Sequence, residues 1–345
     1  MKRNPAGLLF MGFSALFLSG CYYTTQGYYL LSYQAKAKSA EKLLKQEDLP
    51  QETREFLLLV QDIRNYAVTE LGLKTNKNYT EYLDLDQDVL AWVVSACDPL
   101  AFNTYLWKYP FMGELPYKGF YRIDDARKEG QARKDEGKDV WVRGVEAFST
   151  LGYFKDPLIS YMAKYSVYDL ANLIIHEQTH ATIWRKDDTS FNEDLASFVG
   201  DEGARLFVLS RFGPESPEYL RIDENKENSR LFREDVLRLK DELDLYYRGI
   251  PSPPLEDERI YIEEKQRIIR EFQLSFLTDY ELRYTADTYR GFGELPVNNA
   301  YLDLFQLYHG QREWFEEQYA LSEYDMKAFL TVMQNAPYPE SGENS

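Results

Sequence analysis

The chain has 345 residues and a formal net charge of -17, from 57 acidic and 40 basic side chains, which argues against nucleic acid or an anionic lipid surface as a partner. Hydrophobic residues make up 44%, enough for a sizeable core in one large or two closely joined domains, and 28 Tyr with 20 Phe make that core aromatic. Cys21 and Cys97 are the only cysteines, so neither a disulfide framework nor a thiolate metal site is expected.

Lys2 and Arg3 precede an apolar run from Leu8 to Leu18 that is too short to span a bilayer. A charged start and a small-residue end predict a secretory signal. Leu18-Ser19-Gly20-Cys21 resembles the bacterial lipobox. That resemblance implies cleavage before Cys21 and acylation of its thiol and its new amine, which satisfies the need for more than one anchoring chain. With Tyr22 rather than an acid following, it also implies an outer-membrane lipoprotein facing the periplasm. Helical periodicity from Tyr29 onward leads from the anchor to the body. Gln51 to Leu71 reads as an amphipathic helix with Phe56, Leu59, Val60, Ile63 and Ala67 on one face. Asp88 to Cys97 is a strand or a buried helix, with Val93-Val94 favouring strand, and Cys97 is expected as a small buried hydrophobe. Pro110, Gly113, Pro116 and Gly119 predict an irregular stretch with short strands. Ile123 to Gly137 is a charged helix, and Val140 to Phe148 a strand. Glu146 on that strand is a candidate to hold a substrate ammonium, against the plainer reading of a solvent-facing carboxylate.

The next stretch, Asp169 to Gly203, organises the chain. It contains His176-Glu177-Gln178-Thr179-His180, the H-E-x-x-H pattern, and two of the three histidines of the chain. One helical turn separates His176 from His180, so both imidazoles share a face and can bind one Zn²⁺ through nitrogen. Glu177 lies beside them as a general base for a water polarised by the metal. The alternative, a solvated helix turn, fits poorly with Leu170, Ala171, Leu173, Ile174 and Ile175, which predict a helix buried on most sides. Thr189 or Ser190 caps a second helix to about Phe212, which Pro214 and Pro217 end. Asn228 to Arg248 and Glu256 to Leu282 are long charge-laced helices, Gly291 to Pro296 a loop, and Asn298 to Glu317 and Ser322 to Met333 the last two helices.

Two histidines leave zinc short of a ligand. Glu193 is the best candidate, because Ala196, Ser197, Gly200, Gly203 and Ala204 on its own stripe let a second backbone approach closely. Asp201 and Glu202 are weaker candidates. His309 is a fourth possibility, though a histidine in an aromatic helix is more often a core residue. Ser190-Phe191-Asn192-Glu193 also reads as a capping box, in which Glu193 would fold back onto the Ser190 amide.

HEQTH followed by Asn192-Glu193 at the start of the next helix resembles the gluzincin arrangement. More specifically, the chain is similar to the predicted bacterial aminopeptidase lipoproteins. The residues that carry this are Leu18 to Tyr22, Ile63-Arg64, Glu70 to Leu73, Gly119 to Tyr121, Phe148 to Pro157, the HEQTH segment, Phe191 to Gly200 and Asn298 to Ala300. The resemblance implies that His176, His180 and Glu193 are zinc ligands and Glu177 the base. Two departures are visible: only twelve residues separate His180 from Glu193, and Ser197 stands where thermolysin-type enzymes carry an Asp that orients a ligand His. The expected fold is α+β and predominantly helical: a small antiparallel sheet near residues 89–148, a zincin-like pair of helices, then C-terminal helices covering the site. Residues 1–20 would be the signal peptide, 21–336 the peptidase domain and 337–345 a disordered tail. The expected function is zinc-dependent hydrolysis of peptides, as an aminopeptidase; an endopeptidase or cell-wall amidase, or a non-enzymatic envelope lipoprotein, are the alternatives. Tyr284, Tyr289 and Arg290 are candidates to stabilise the oxyanion, and Tyr289 also to touch substrate. Oligomeric state is not legible.

Overall fold

The computed structural model describes residues 22–109, 113–145, 156–186, 188–251, 257–306 and 312–338. Cys21, Glu146, His309 and the tail from residue 339 lie outside the described residues.

Helix α1 (22–36) is docked by its first residue: the Tyr22 hydroxyl donates to the Gly119 carbonyl at 2.8 Å, and its ring meets Phe120 edge-on. There follow β1 (Lys38–Ser39), α2 (Ala40–Leu44), α3 (Gln51–Thr69), β2 (Glu81–Leu83), β3 (Ala91–Cys97), β4 (Trp107–Tyr109), β5 (Gly113–Leu115), β6 (Lys118–Phe120), α4 (Ile123–Asp135), β7 (Asp139–Val145) and β8 (Leu158–Ile159). A 3₁₀ turn, Ser160–Lys164, leads into α5 (Val167–Thr182), then α6 (Thr189–Phe212), α7 (Pro217–Arg248) and α8 (Glu258–Arg283). The chain closes with a 3₁₀ helix Asp287–Glu294, α9 (Asn299–Leu302), a 3₁₀ turn Asp303–Gln306, α10 (Arg312–Leu321) and α11 (Met326–Met333). The architecture is α+β and predominantly helical, with small sheets.

The stretch before Cys97 is strand. Its buried residues Val93, Val94, Ala96 and Cys97 form the centre of an antiparallel sheet ordered β6-β3-β7, with Ala91 opposite Val145 and Cys97 opposite Asp139. β4 and β5 make a separate hairpin. Sequence reading missed the third sheet, β1-β2-β8, in which β2 and β8 run parallel. Strands of two or three residues are too short to show alternation.

Two apolar cores divide the helices. One gathers α3, α5, α6, α10 and α11 around Ile63, Ile174, Ile175, Leu195, Phe198, Phe315 and Phe329. The other is the α7–α8 hairpin with Phe232, Leu239, Leu243, Ile269, Phe276 and Phe292. Several expected boundaries move. α7 begins at Pro217 and not at Asn228: Ser216 caps it and Pro217 occupies its first turn, where a missing N–H costs nothing. The helix expected over Asn298 to Glu317 is interrupted after Leu302, where Asp303 accepts from Lys240 Nζ at 2.9 Å and from Thr104. The loop expected at Gly291 to Pro296 is mostly 3₁₀ helix. Among the described residues no helix is long and apolar enough to cross a membrane.

Candidate metal and peptide site

α5 starts where Ser166 Oγ accepts from the Asp169 amide at 3.1 Å, and it buries Leu170, Ala171, Ile174 and Ile175 against the first core. That burial fixes the rotation of the helix and turns His176 and His180 to the face shared with α6. α6 crosses there because its stripe is small. A Cβ built on Gly200 would lie 2.8 Å from Asn172 Oδ1 and 3.2 Å from His176 Cβ, and one on Gly203 would lie 2.8 Å from Leu71 Cδ1. Gly200→Ala is therefore expected to destabilise the fold by about 1–3 kcal/mol through overpacking and to weaken metal binding by displacing His176. A thermal melt and a metal titration check this, and an unchanged variant in both would show that the helices have room to spare.

The connection between the two helices sets their register. Asn192, fully buried, accepts from the Arg185 amide at 2.8 Å and donates to the Arg185 carbonyl at 2.7 Å. The Arg185 guanidinium stacks 3.4 Å over Phe191 and donates to the Met333 and Ala336 carbonyls. The cap of α6 is Asp188, whose carboxylate accepts from the Phe191 amide at 3.2 Å; Thr189 and Ser190 are already helical. Glu193 therefore falls in the second turn, outside any capping box, and its oxygens lie 3.6 Å from the Nε2 atoms of both His176 and His180.

Those two Nε2 atoms are 3.2 Å apart, and the rings meet at 86°. Donor atoms bound at 2.0–2.1 Å around a tetrahedral ion are separated by roughly 3.3 Å, so the triangle of 3.2, 3.6 and 3.6 Å fits one face of such a site. Burial and the neighbouring His176 push the His180 pKa down, which keeps a nitrogen lone pair available. Hydrogen bonding to His176 and the charge of His180 hold Glu193 below the usual carboxylate range, against its burial. The three side chains make a group able to hold a metal ion. Among the described residues His180 Nδ1 is buried without a partner, and Ser197 is exposed, so position 197 supplies no orienting acid.

Burial, with a smaller contribution from Glu193, raises the Glu177 pKa against the pull of His176. The Glu177 backbone is held by a loop that sequence reading left unassigned. Asn76 Nδ2 donates to the Glu177 carbonyl at 3.3 Å, Lys74 N to Thr182 Oγ1 at 2.9 Å, and Arg64 rivets the loop through the Asn76 carbonyl at 2.8 Å. The same loop carries Asp156 on its other side: Tyr79 N donates to the Asp156 carbonyl at 2.7 Å, and Asn78 Oδ1 accepts from the Asp156 amide at 3.4 Å. Tyr79 holds a left-handed backbone, φ 58°, unusual for a bulky residue and a mark of local strain.

Burial and the charge of Glu177 raise the Asp156 pKa from 3.8 to about 6. An acid with a raised folded-state pKa weakens the fold when ionised: the penalty is absent below 3.8, grows between 3.8 and 6, and is complete above that. Asp156→Asn is therefore expected to melt on the order of 2 °C higher than wild type at pH 7.5 and to lose that advantage near pH 4. A variant less stable at both pH values would mean that the carboxylate makes a structural contact.

The remaining candidates lie elsewhere. Asp201 accepts from Lys226 at 2.9 Å, from Arg312 at 2.6 Å and from Tyr168, and Glu202 pairs with Arg205 at 3.0 Å, so both are committed to cations. The Tyr284 hydroxyl donates to Asp235 at 2.7 Å, and Tyr289 stacks on Phe232 with ring centres 4.3 Å apart and bonds Ser229. Arg290 pairs with Asp287 and Glu281. Tyr284 and Tyr289 pack in the α7–α8 core, and Arg290 is paired with acids beside it.

A family model described as "Putative aminopeptidase" matches residues 21–340. The chain belongs to that family. No curated protein and no solved structure matches it significantly. Membership in the aminopeptidase family supports peptide-bond hydrolysis as the activity of this chain, and the matched range contains the triad, Glu177 and Asp156.

Proposed function

We propose that the protein is a zinc aminopeptidase of the gluzincin type, held in the bacterial cell envelope by a lipid on Cys21. The observation that carries the first part is the convergence of His176, His180 and Glu193 with Glu177 beside them. Two imidazole nitrogens and one carboxylate are a donor set that suits zinc and leaves a coordination position open. Bound there, zinc would supply Lewis acidity toward a water and the substrate carbonyl. Glu177 accepts a proton from the attacking water and returns it to the departing amine. Burial raises its pKa, which makes the carboxylate a stronger base than an exposed one. The α5–α6 pair, locked through Asn192 and Arg185, keeps the donors in place. The family description favours a free amino terminus over an internal bond.

Anchoring rests on Leu18-Ser19-Gly20-Cys21. Because Tyr22 already docks onto β6, a lipid on Cys21 would hold the body close to the bilayer without a flexible tether. Cys21→Ala is expected to move the protein from the detergent phase to the aqueous phase; a wild type found in water without lipid would end this part of the reading. For the activity, the zinc-loaded protein should release residues from peptides with a free amine, lose this with a chelator and regain it with zinc. Equal cleavage of amine-blocked peptides would favour the endopeptidase or amidase reading instead.

A further inference from the structure

Several acids that are buried or partly buried among the described residues come with partners. Asp235 has Arg283 at 2.6 Å, Asp201 has Lys226 and Arg312, Glu129 has Lys118 at 2.9 Å, Asp303 has Lys240 at 2.9 Å, and Asp139 has Lys265. Asp156 breaks the pattern. Its carboxylate is partly buried, meets the like charge of Glu177, and among the described residues has no cation and no hydrogen-bond donor. An unpaired carboxylate that meets the charge of another is costly.

A second observation points to the same place. Tyr79 is 4% exposed, its hydroxyl has no hydrogen-bond partner among the described residues, and the charges of Glu177 and Asp156 both act on it. Its backbone is held at φ 58° while its amide binds the Asp156 carbonyl at 2.7 Å. An unpartnered hydroxyl on a buried tyrosine, felt by two carboxylates and carried on a left-handed backbone, is arranged for something that enters. That something must be cationic, small and rich in hydrogen-bond donors.

We propose that Asp156, with the Tyr79 hydroxyl, forms the subsite that receives the α-ammonium group of a peptide substrate. This deepens the aminopeptidase reading and rests on it. An ammonium carries three donors. Asp156 supplies an anionic acceptor and Tyr79 a neutral one, while Glu177 stays free for the proton transfer. The loop from Asn76 to Tyr79 ties this subsite to the catalytic turn, since Asn76 holds the Glu177 carbonyl and Asn78 the Asp156 amide. A peptide with a blocked amine would cover Asp156 without neutralising it, so the same carboxylate that attracts a free terminus rejects an acylated one. Asp156 is thus a specificity-determining residue.

The test uses full-length protein and two readouts. In the zinc-loaded enzyme, Asp156→Asn should lower kcat/KM on leucyl-p-nitroanilide by about 10- to 100-fold, mostly through KM, with zinc content unchanged. Tyr79→Phe should lower it by roughly 3- to 10-fold. In metal-free protein, an NMR titration should show L-leucinamide binding to wild type about tenfold or more tightly than to Asp156→Asn. N-acetyl-leucinamide should bind wild type weakly and no more tightly than it binds Asp156→Asn. Equal binding of leucinamide to the two forms, or acetylated ligand binding wild type as well as free amine, overturns the proposal. So does a second equivalent of zinc in wild type that Asp156→Asn loses, because Asp156 would then be a metal ligand. If wild type discriminates the amine in the titration yet cleaves no peptide, the subsite stands and the peptidase reading fails.

Discussion

Glu177→Gln is expected to retain about one metal ion per chain while losing roughly 10³- to 10⁴-fold in kcat/KM. The reason is positional. Glu177 stands between the two histidines in sequence, but the triangle able to hold an ion is closed by His176, His180 and Glu193 without it. Gln keeps the size and the polarity of the side chain and removes only its capacity to take a proton. Stability should rise slightly at neutral pH, since burial and the charge of Glu193 already work against the ionised form. Metal analysis and initial rates on one preparation decide the matter. Loss of metal would make Glu177 a ligand, and survival of activity would make the base some other group.

The second large effect belongs to Glu193→Gln, which should strip the metal or weaken its binding by several orders of magnitude. A plain alternative exists in the sequence, where Ser190 to Glu193 reads as a capping box whose loss would cost about 0.5–2 kcal/mol and leave metal binding intact. The structure assigns that work differently. Asp188 caps α6 through the Phe191 amide, Ser190 Oγ lies 3.4 Å from Asp194, and Glu193 faces two imidazoles. Metal-free Glu193→Gln should therefore melt close to metal-free wild type, while the two separate widely once zinc is added, because only wild type gains the binding energy. A variant with full metal and full activity would sink the assignment.

The capping box shows how far local reading reached. Four residues matched the motif, and the residue that caps, Asp188, stands one position before Thr189 and two before Ser190. A cap is chosen by where the preceding chain enters, and that entry is set by Asn192 clasping the Arg185 backbone and by Arg185 reaching the end of α11. None of these contacts has a sequence period. Glu193 was still found, because Gly200 and Gly203 record in sequence the close passage of a second helix.

Length, periodicity and spacing determined the parts of this protein in which the physics is local. An α-helix puts residues four apart on one face wherever it forms, so His176, Glu177 and His180 were legible at once, as were the long helices and the strand before Cys97. Only the tertiary structure decided what else faces them. Asp156 and Asn78 are 78 residues apart, joined by a loop with no repeat pattern and by the short parallel pairing of β2 with β8. Asp235 claimed Tyr284, and Phe232 claimed Tyr289, because those rings fill the α7–α8 core. Long-range pairing of this kind depends on which surfaces are left once the cores have packed, and residue type alone does not encode it.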